Sequence, residues 1–309
     1  MGYKLYKLQF LGGVHFGNSC LENSEYTFYA DTLFSALCQE AMKTGDKALE
    51  KIYAAVKNGE LIISDAFPYM GKVYYLPKPM KRVDVDENNG NSIIKKAFKK
   101  LKYIPVEKLD EYFAGKFDVL NAADFDELGD FYMKVSASVR GEEETKPYRV
   151  QTFYFKEGNG LYIIVKYASE EILHLFEDLL LNLSFSGIGG KRSSGMGKFE
   201  LHTGNIPMCL EKRLEKTGRN YMTLSISLPK RDELSQVMEG AEYLLCKRSG
   251  FVASEQYCEK QMRKRDMYLF QSGSCFCQRF EGDIYDVSSN GGHHSVYRYA
   301  KPIFMEVGI

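Results

Sequence analysis

The chain has 309 residues, with 41 lysines and arginines balancing 41 aspartates and glutamates, 44% hydrophobic and 27% charged residues. That composition excludes a disordered chain and excludes a protein that attracts nucleic acid through a positive field over its whole surface, so any polyanion site must be local. No apolar stretch approaches the roughly 20 residues that span a bilayer, and an odd set of seven cysteines without a CxxC pair, after a start without a secretion signal, predicts a reducing cytoplasm.

In chain order, residues 3 to 10 alternate with a period near two and predict a strand that ends at the Gly12-Gly13 turn. The segment YADTLFSALCQEAMKTG places Leu33, Phe34, Leu37, Ala41 and Met42 on one helical face, with Asp31 or Thr32 as the expected cap and Gly45 as the stop. Strands are expected at 60 to 67 and 72 to 76, halted by Pro77 and Pro79. Between about 80 and 145 the periodicity weakens, as in an insertion. Its one clear element is a helix at 92 to 102 with Ile93, Ile94, Ala97, Phe98 and Leu101 inward and Lys95, Lys96, Lys99, Lys100 and Lys102 outward.

RVQTFYF, the turn KEGNG and LYIIVKY predict a hairpin. A helix at 169 to 183 repeats Ile172, Leu175, Phe176, Leu179, Leu180 and Leu183 at three and four, and it leads through a glycine-rich loop to a strand at 198 to 203. From Tyr221 the pattern restarts with YMTLSISLP, a short helix near 231 to 238, AEYLLCKR, MYLFQ, CFCQRF and VYRYAKPIFMEV. Residues 211 to 220 read as a linker. The order predicts an α+β protein of two ferredoxin-like (β-α-β-β-α-β) domains with antiparallel sheets and helices on one face. The expected boundaries are 1–210, carrying the insertion at about 80–145 and the loop at 187–197, and 211–309.

GIGGKRSSGMG, residues 187 to 197, carries the strongest chemical signal. Gly187, Gly189, Gly190, Gly195 and Gly197 let backbone N–H groups approach an anion, Lys191 and Arg192 supply charge, and Ser193 and Ser194 supply hydroxyls. The loop follows a helix and precedes a strand and lacks GxxxxGK[ST], so it is no P-loop; the alternative is a plain connector. Basic clusters at 95–102, at Lys191 and Arg192, and at Arg263, Lys264 and Arg265 are the other candidate contact surfaces.

A loop of the form GxGGxRSxGxGxF before a strand resembles the G-loop of the RAMP superfamily of CRISPR proteins. With GVHFG at 13–17, DTLFSAL at 31–37, LPKP at 76–79, KPY at 146–148, CKRSGFV at 246–252, GS at 273–274 and HSVYRYAKP at 294–302, the chain is similar from end to end to the subunit-four family of Csm, or type III-A, effector complexes. The resemblance implies two RRM-like RAMP domains, binding of the repeat-derived 5′ handle of a guide RNA (crRNA), and contact with the large polymerase-like or cyclase-like subunit and the adjacent guide-coating backbone subunit. It implies no catalytic activity, and no cofactor or metal is expected. The expected RNA-contacting residues are His15, Arg140, the loop residues Gly187, Gly189, Gly190, Lys191, Arg192, Ser193, Ser194, Gly195 and Gly197, and Arg248, Ser249 and Arg298.

Alternatives remain for several of these. His15 is the best candidate for a guide-maturing endoribonuclease, as general acid or base, but no titratable partner is evident, and an RNA-contacting or buried hydrogen-bonded histidine is the favoured reading. Asp31 reads as a helix cap rather than a nuclease carboxylate. Arg140 and Lys146 flank GEEET in a protruding hairpin or a solvated loop, and Arg248, Ser249 and Gly250 mark a phosphate contact or a strand-end turn. Tyr297 and Tyr299 share one strand face and Arg298 the other, so either the tyrosines pack in the core with a surface arginine or the strand also serves RNA stacking or a subunit contact. Cys275, Cys277, His293 and His294 lack zinc spacing.

Overall fold

The computed structural model describes the chain apart from residues 19, 82–91, 121, 123–124, 139–145, 255–256, 259 and 309. Strand β1 (Gly2–Phe10) leads through a turn to the small ribbon β2 (Phe16–Asn18) and β3 (Cys20–Glu25), then helices α1 (Ala30–Thr44) and α2 (Asp46–Lys57). Strands β4 (Leu61–Ile63), β5 (Phe67–Met70) and β6 (Val73–Pro77) precede α3 (Ser92–Lys100), β7 (Tyr103–Pro105) and α4 (Leu109–Phe113). A long ribbon, β8 (Gly129–Ser138) and β9 (Lys146–Phe155), is followed by β10 (Asn159–Tyr167), α5 (Glu170–Ser186), β11 (Phe199–Gly204) and α6 (Met208–Glu215). The remainder comprises β12 (Tyr221–Thr223), α7 (Leu234–Val237), β13 (Leu245–Arg248), β14 (Met267–Phe270), β15 (Cys275–Phe276), β16 (Asp283–Asp286), β17 (Tyr297–Ala300) and β18 (Phe304–Glu306).

The main sheet is antiparallel with the order β11-β1-β10-β5-β6-β7, and β4 also pairs with β10. Its centre is β10, whose Leu161, Ile163 and Val165 face one core while Tyr162 and Ile164 face another. A strand buried on both faces reads as a continuous apolar run, which is how GLYIIVKY is written.

That position decides the fate of the predicted hairpin. Both edges of β10 are taken, by β1 on one side and by β4 and β5 on the other, so β9 pairs instead with β8 over ten positions, from Gly129↔Phe155 to Ser138↔Lys146. The strands are where the sequence placed them; their pairing is not. Half-exposed β9 belongs to a two-stranded ribbon built partly from the expected insertion, and Arg140 and the GEEET tip lie outside the described residues.

Helices α1, α2 and α5 cover one face through Leu33, Phe34, Leu37, Ile52, Val56, Phe176 and Leu183. Helix α5 starts at Ser169, whose Oγ accepts the Ile172 amide, and ends at Gly187 with φ of 82°, a left-handed backbone that glycine adopts without a Cβ clash. The other face is not open: Val106, Leu109, Leu210, Leu214, Met222, Leu224, Ile303 and Met305 pack on it. Helices therefore lie on both faces, contrary to the expectation of one.

The first half of the segment expected as a linker, residues 211–215, belongs to helix α6, whose Leu210 and Leu214 are buried. Beyond it, β15-β12-β18, β13-β14 and β16-β17 form three small sheets, and the two cores draw Ile226, Leu269, Tyr299, Met222 and Met305 from this half. The last predicted strand breaks at Lys301-Pro302, where proline cannot extend a ladder. Two helix-face assignments also change: Met42 and Ile93, both expected inward, are exposed.

Candidate nucleic-acid interface

The glycine-rich loop is fastened to the turn that follows β1. Gly190 donates its amide to the His15 carbonyl at 2.8 Å, Gly197 to the Gly13 carbonyl at 3.0 Å, and Ile188 to the Gly197 carbonyl at 3.0 Å. Glycine is required at 197 by crowding as much as by its φ of 77°: a Cβ there would lie 2.0 Å from the Ile188 carbonyl oxygen. Several amides expected to converge on an anion thus hold the loop itself in place.

The charged pair in the loop divides. Lys191, with φ of 60°, sets its ammonium 3.3 Å from the Tyr148 hydroxyl and 4.7 Å from that ring's centre on β9. Arg192 turns the other way and donates to Gln39 Oε1 of α1 at 2.7 Å. Ser193, Ser194 and Gly195 are exposed at the loop's tip.

Arg192 faces a cleft of about 1620 Å3 that also receives His15, Gly189, Gly190, Arg248, Ser249 and Arg298. Seven predicted residues from four separate stretches are thereby brought together. Lys191, Ser193, Ser194, Gly187, Gly195 and Gly197 are not on its wall. Nine lysine and arginine side chains line the cleft against four carboxylates, in a chain whose total charge is balanced.

The far wall is organised by Asp31. Arg248 reaches it through Nε at 3.0 Å and through its terminal nitrogen at 2.9 Å, while Arg298 donates to its second oxygen at 2.7 Å. Burial alone would raise the Asp31 carboxyl, but Arg248 and Arg298 outweigh it and hold the group below the usual carboxylate range. Arg248 also stacks over Tyr29, 4.6 Å from the ring centre. Three expectations fall here. Asp31 is not the cap of α1, since the position before the helix is Tyr29 and no side chain of its own closes that end. Arg298 is not a surface arginine but only 4% exposed, while Tyr297, expected in the core, is half-exposed and Tyr299 is fully buried.

The end of α1 is served from a distance by Asp65, whose Oδ1 accepts the amides of Ala30 at 2.7 Å and Ile226 at 3.0 Å. Burial pushes the Asp65 carboxyl up to about 7, with Asp31 adding to the effect and the two amides opposing it. A carboxyl raised by folding stays protonated in the native state while the unfolded chain ionises. Its contribution to stability therefore falls as pH rises between about 4 and 7 and stays lost above. Asp65→Asn should keep an acceptor for both amides and remove that loss. The difference in melting temperature between variant and wild type should shift in the variant's favour from pH 5 to pH 8; a difference constant with pH would contradict the assignment.

His15 is buried, with Nδ1 2.7 Å from the Gln151 carbonyl oxygen. That carbonyl can only accept, so Nδ1 carries the proton. Among the described residues no carboxylate or cationic side chain bonds to it, and its ring packs beneath Gly190. Sequence reasoning missed Asp65, the linking role of Asp31 and the convergence of Lys264 on the same wall. An aspartate inside the apolar run LIISDAF was the available signal, because a charge there must be buried with partners. Among the described residues no three His, Cys, Asp or Glu side chains gather as a metal site.

Residues 7–200 match the RAMP superfamily and residues 216–307 match the CRISPR Csm4 C-terminal domain. The CRISPR system Csm4 protein of Mycobacterium tuberculosis is 39% identical over 307 residues, covering 99% of this chain and 98% of that one. The Csm4 protein of Streptococcus thermophilus is 35% identical over 319 residues and covers both chains in full. Among solved structures, a Csm3-Csm4 subcomplex of the type III-A CRISPR-Cas interference complex contains a similar chain at TM-score 0.68 and 18% identity over 98% of each chain. A Csm1-Csm4 cassette in complex with cA4 gives 0.62 and 19% over 99% of each. The fold, the two matched segments and the full-length identity agree: this chain belongs to the Csm4 family of the RAMP superfamily.

Proposed function

We propose that this chain is the guide-anchoring subunit of a type III-A CRISPR effector complex: its cleft holds the 5′ handle of the guide RNA, and its outer surfaces join the large Csm1-type subunit and the first Csm3-type backbone subunit. The observation that carries the reading is the segregation of charge, nine cations against four carboxylates in one cleft of an otherwise neutral protein. Single-stranded RNA is held by such grooves together with aromatic platforms, and Tyr26, Tyr29 and Tyr103 line the same walls.

The partners follow from the family and from the solved assemblies of its similar chains. Apolar side chains left in water fit a subunit of a larger assembly, among them Leu181 and Phe185 on α5 and Met42 on α1. The two halves, 1–210 and 211–309, act as one RNA-holding body on this reading, because Asp31 from the first is bonded to Arg248 and Arg298 from the second.

We read the chain as non-catalytic. Proton transfer needs a group at the reacting atom together with a partner that tunes it. His15 is packed under the loop with a backbone carbonyl as its bonded neighbour, and Asp31 is neutralised by two arginines. Incubated with repeat-derived RNA, the purified chain should retard the RNA and leave it intact. Cleavage that disappears in His15→Ala would establish the nuclease reading instead.

A further inference from the structure

We propose that Lys264 completes a phosphate site on the far wall of the cleft, framed by Arg248 and Arg298 and oriented by Asp31, and that a backbone phosphodiester of the bound RNA occupies it. The inference rests on the cleft reading above and adds a specific contact to it.

The wall carries more positive charge than its partners answer. Among the described residues Asp31 is the one carboxylate bonded to the arginines, and both of its oxygens are engaged by them. Arg298, 4% exposed, keeps a buried Nε that has no hydrogen-bond partner among the described residues. Lys264 stands on the same wall, placed there by its backbone N–H, which donates a hydrogen bond to the Gly250 carbonyl at 2.8 Å. It is half-buried, and among the described residues its ammonium has neither an ion pair nor a hydrogen bond.

Burial, Arg298 and Arg248 depress the Lys264 ammonium, with Asp31 acting against them. A half-buried lysine beside two arginines is unfavourable until an anion arrives. A phosphodiester offers what is missing: one negative charge on two unbridged oxygens, which an ammonium and a guanidinium can share. Gly189, Gly190 and Arg192 of the glycine-rich loop line the same cleft, so a strand following the cleft would pass both.

The test compares Lys264→Met, Lys264→Arg and the exposed control Lys51→Met in salt titrations of repeat-derived RNA binding to the full chain. Lys51 pairs with Glu171 away from the cleft. Loss of one phosphate contact should flatten the slope of log K against log salt by about 0.7 and weaken binding on the order of tenfold. Lys264→Arg should restore the slope, and Lys51→Met should leave it unchanged.

Stability gives an independent readout. Without RNA, Lys264→Met should melt at or above the wild-type temperature, since it removes an unanswered cation and keeps the aliphatic stem. A wild-type slope in Lys264→Met, or a lower melting temperature with that slope unchanged, would make Lys264 structural and overturn the inference. If Arg192→Ala still flattens the slope in that case, the cleft reading stands and only this contact is wrong; if neither variant does, both fail.

Discussion

Asp31→Ala should cost about 3–5 kcal/mol, the range found when one partner of a buried ion pair is removed and the other is left without a counter-charge. The carboxylate bridges α1 to β13 and β17, and both arginines in that bridge come from the second half of the chain. Arg298 is the more exposed to the loss in energetic terms because almost none of it reaches water. The cost should appear as a lower urea midpoint and as earlier proteolysis after residue 210, where the second half would loosen.

Two comparisons separate a charge effect from simple loss of volume. Asp31→Asn keeps an acceptor and should lose less than Asp31→Ala. Adding Arg298→Met to Asp31→Ala should recover part of the loss, because an apolar side chain leaves no buried charge unanswered. The pH dependence has a definite sign: the Asp31 carboxyl is lower in the folded state, so its stabilisation is present above the ordinary carboxylate pKa and is lost as pH falls through its folded value. A midpoint for Asp31→Ala equal to that of wild type would show that the arginines find other partners and that the bridge holds nothing together.

What the sequence disclosed followed the range of the interactions involved. Helix α5 was legible because its apolar repeat, its Ser169 cap and its Gly187 stop are all local. Strand β1 was legible for the same reason. The pairing of β9 was not, because β10 being closed on both edges is a property of the whole sheet and of no local turn signal. The helix α6 was hidden in a charged segment with only two buried leucines to mark its inner face.

The site divides in the same way. The glycine-rich loop announced itself through composition, but the structure uses two of its amides to fasten the loop to Gly13 and His15, a tertiary arrangement that glycine content cannot reveal. Asp31 was legible as a residue at a helix start and not as a bridge, since its partners lie 217 and 267 residues away. Asp65 closes the end of α1 from 35 residues away, so the capping rule found the right need and the wrong residue.

Binding of repeat-derived RNA by Lys191→Ala/Arg192→Ala, followed over a range of salt concentrations, tests the central claim most directly. Phosphate contacts fix position without reading bases, so the loss should be similar across handle sequences. Two contacts removed from a single-stranded RNA should flatten the slope of log K against log salt by about 1.4, and affinity should fall on the order of tenfold per contact. Gly195→Val tests the backbone of the same loop without removing charge. Nothing lies within 4 Å of a Cβ there, but the φ of 81° resists a β-branched residue, so binding should weaken with the slope retained. A flatter slope and weaker binding are expected for the double variant with its fold intact; the wild-type slope and affinity in that variant would make the loop a structural connector and not an RNA contact.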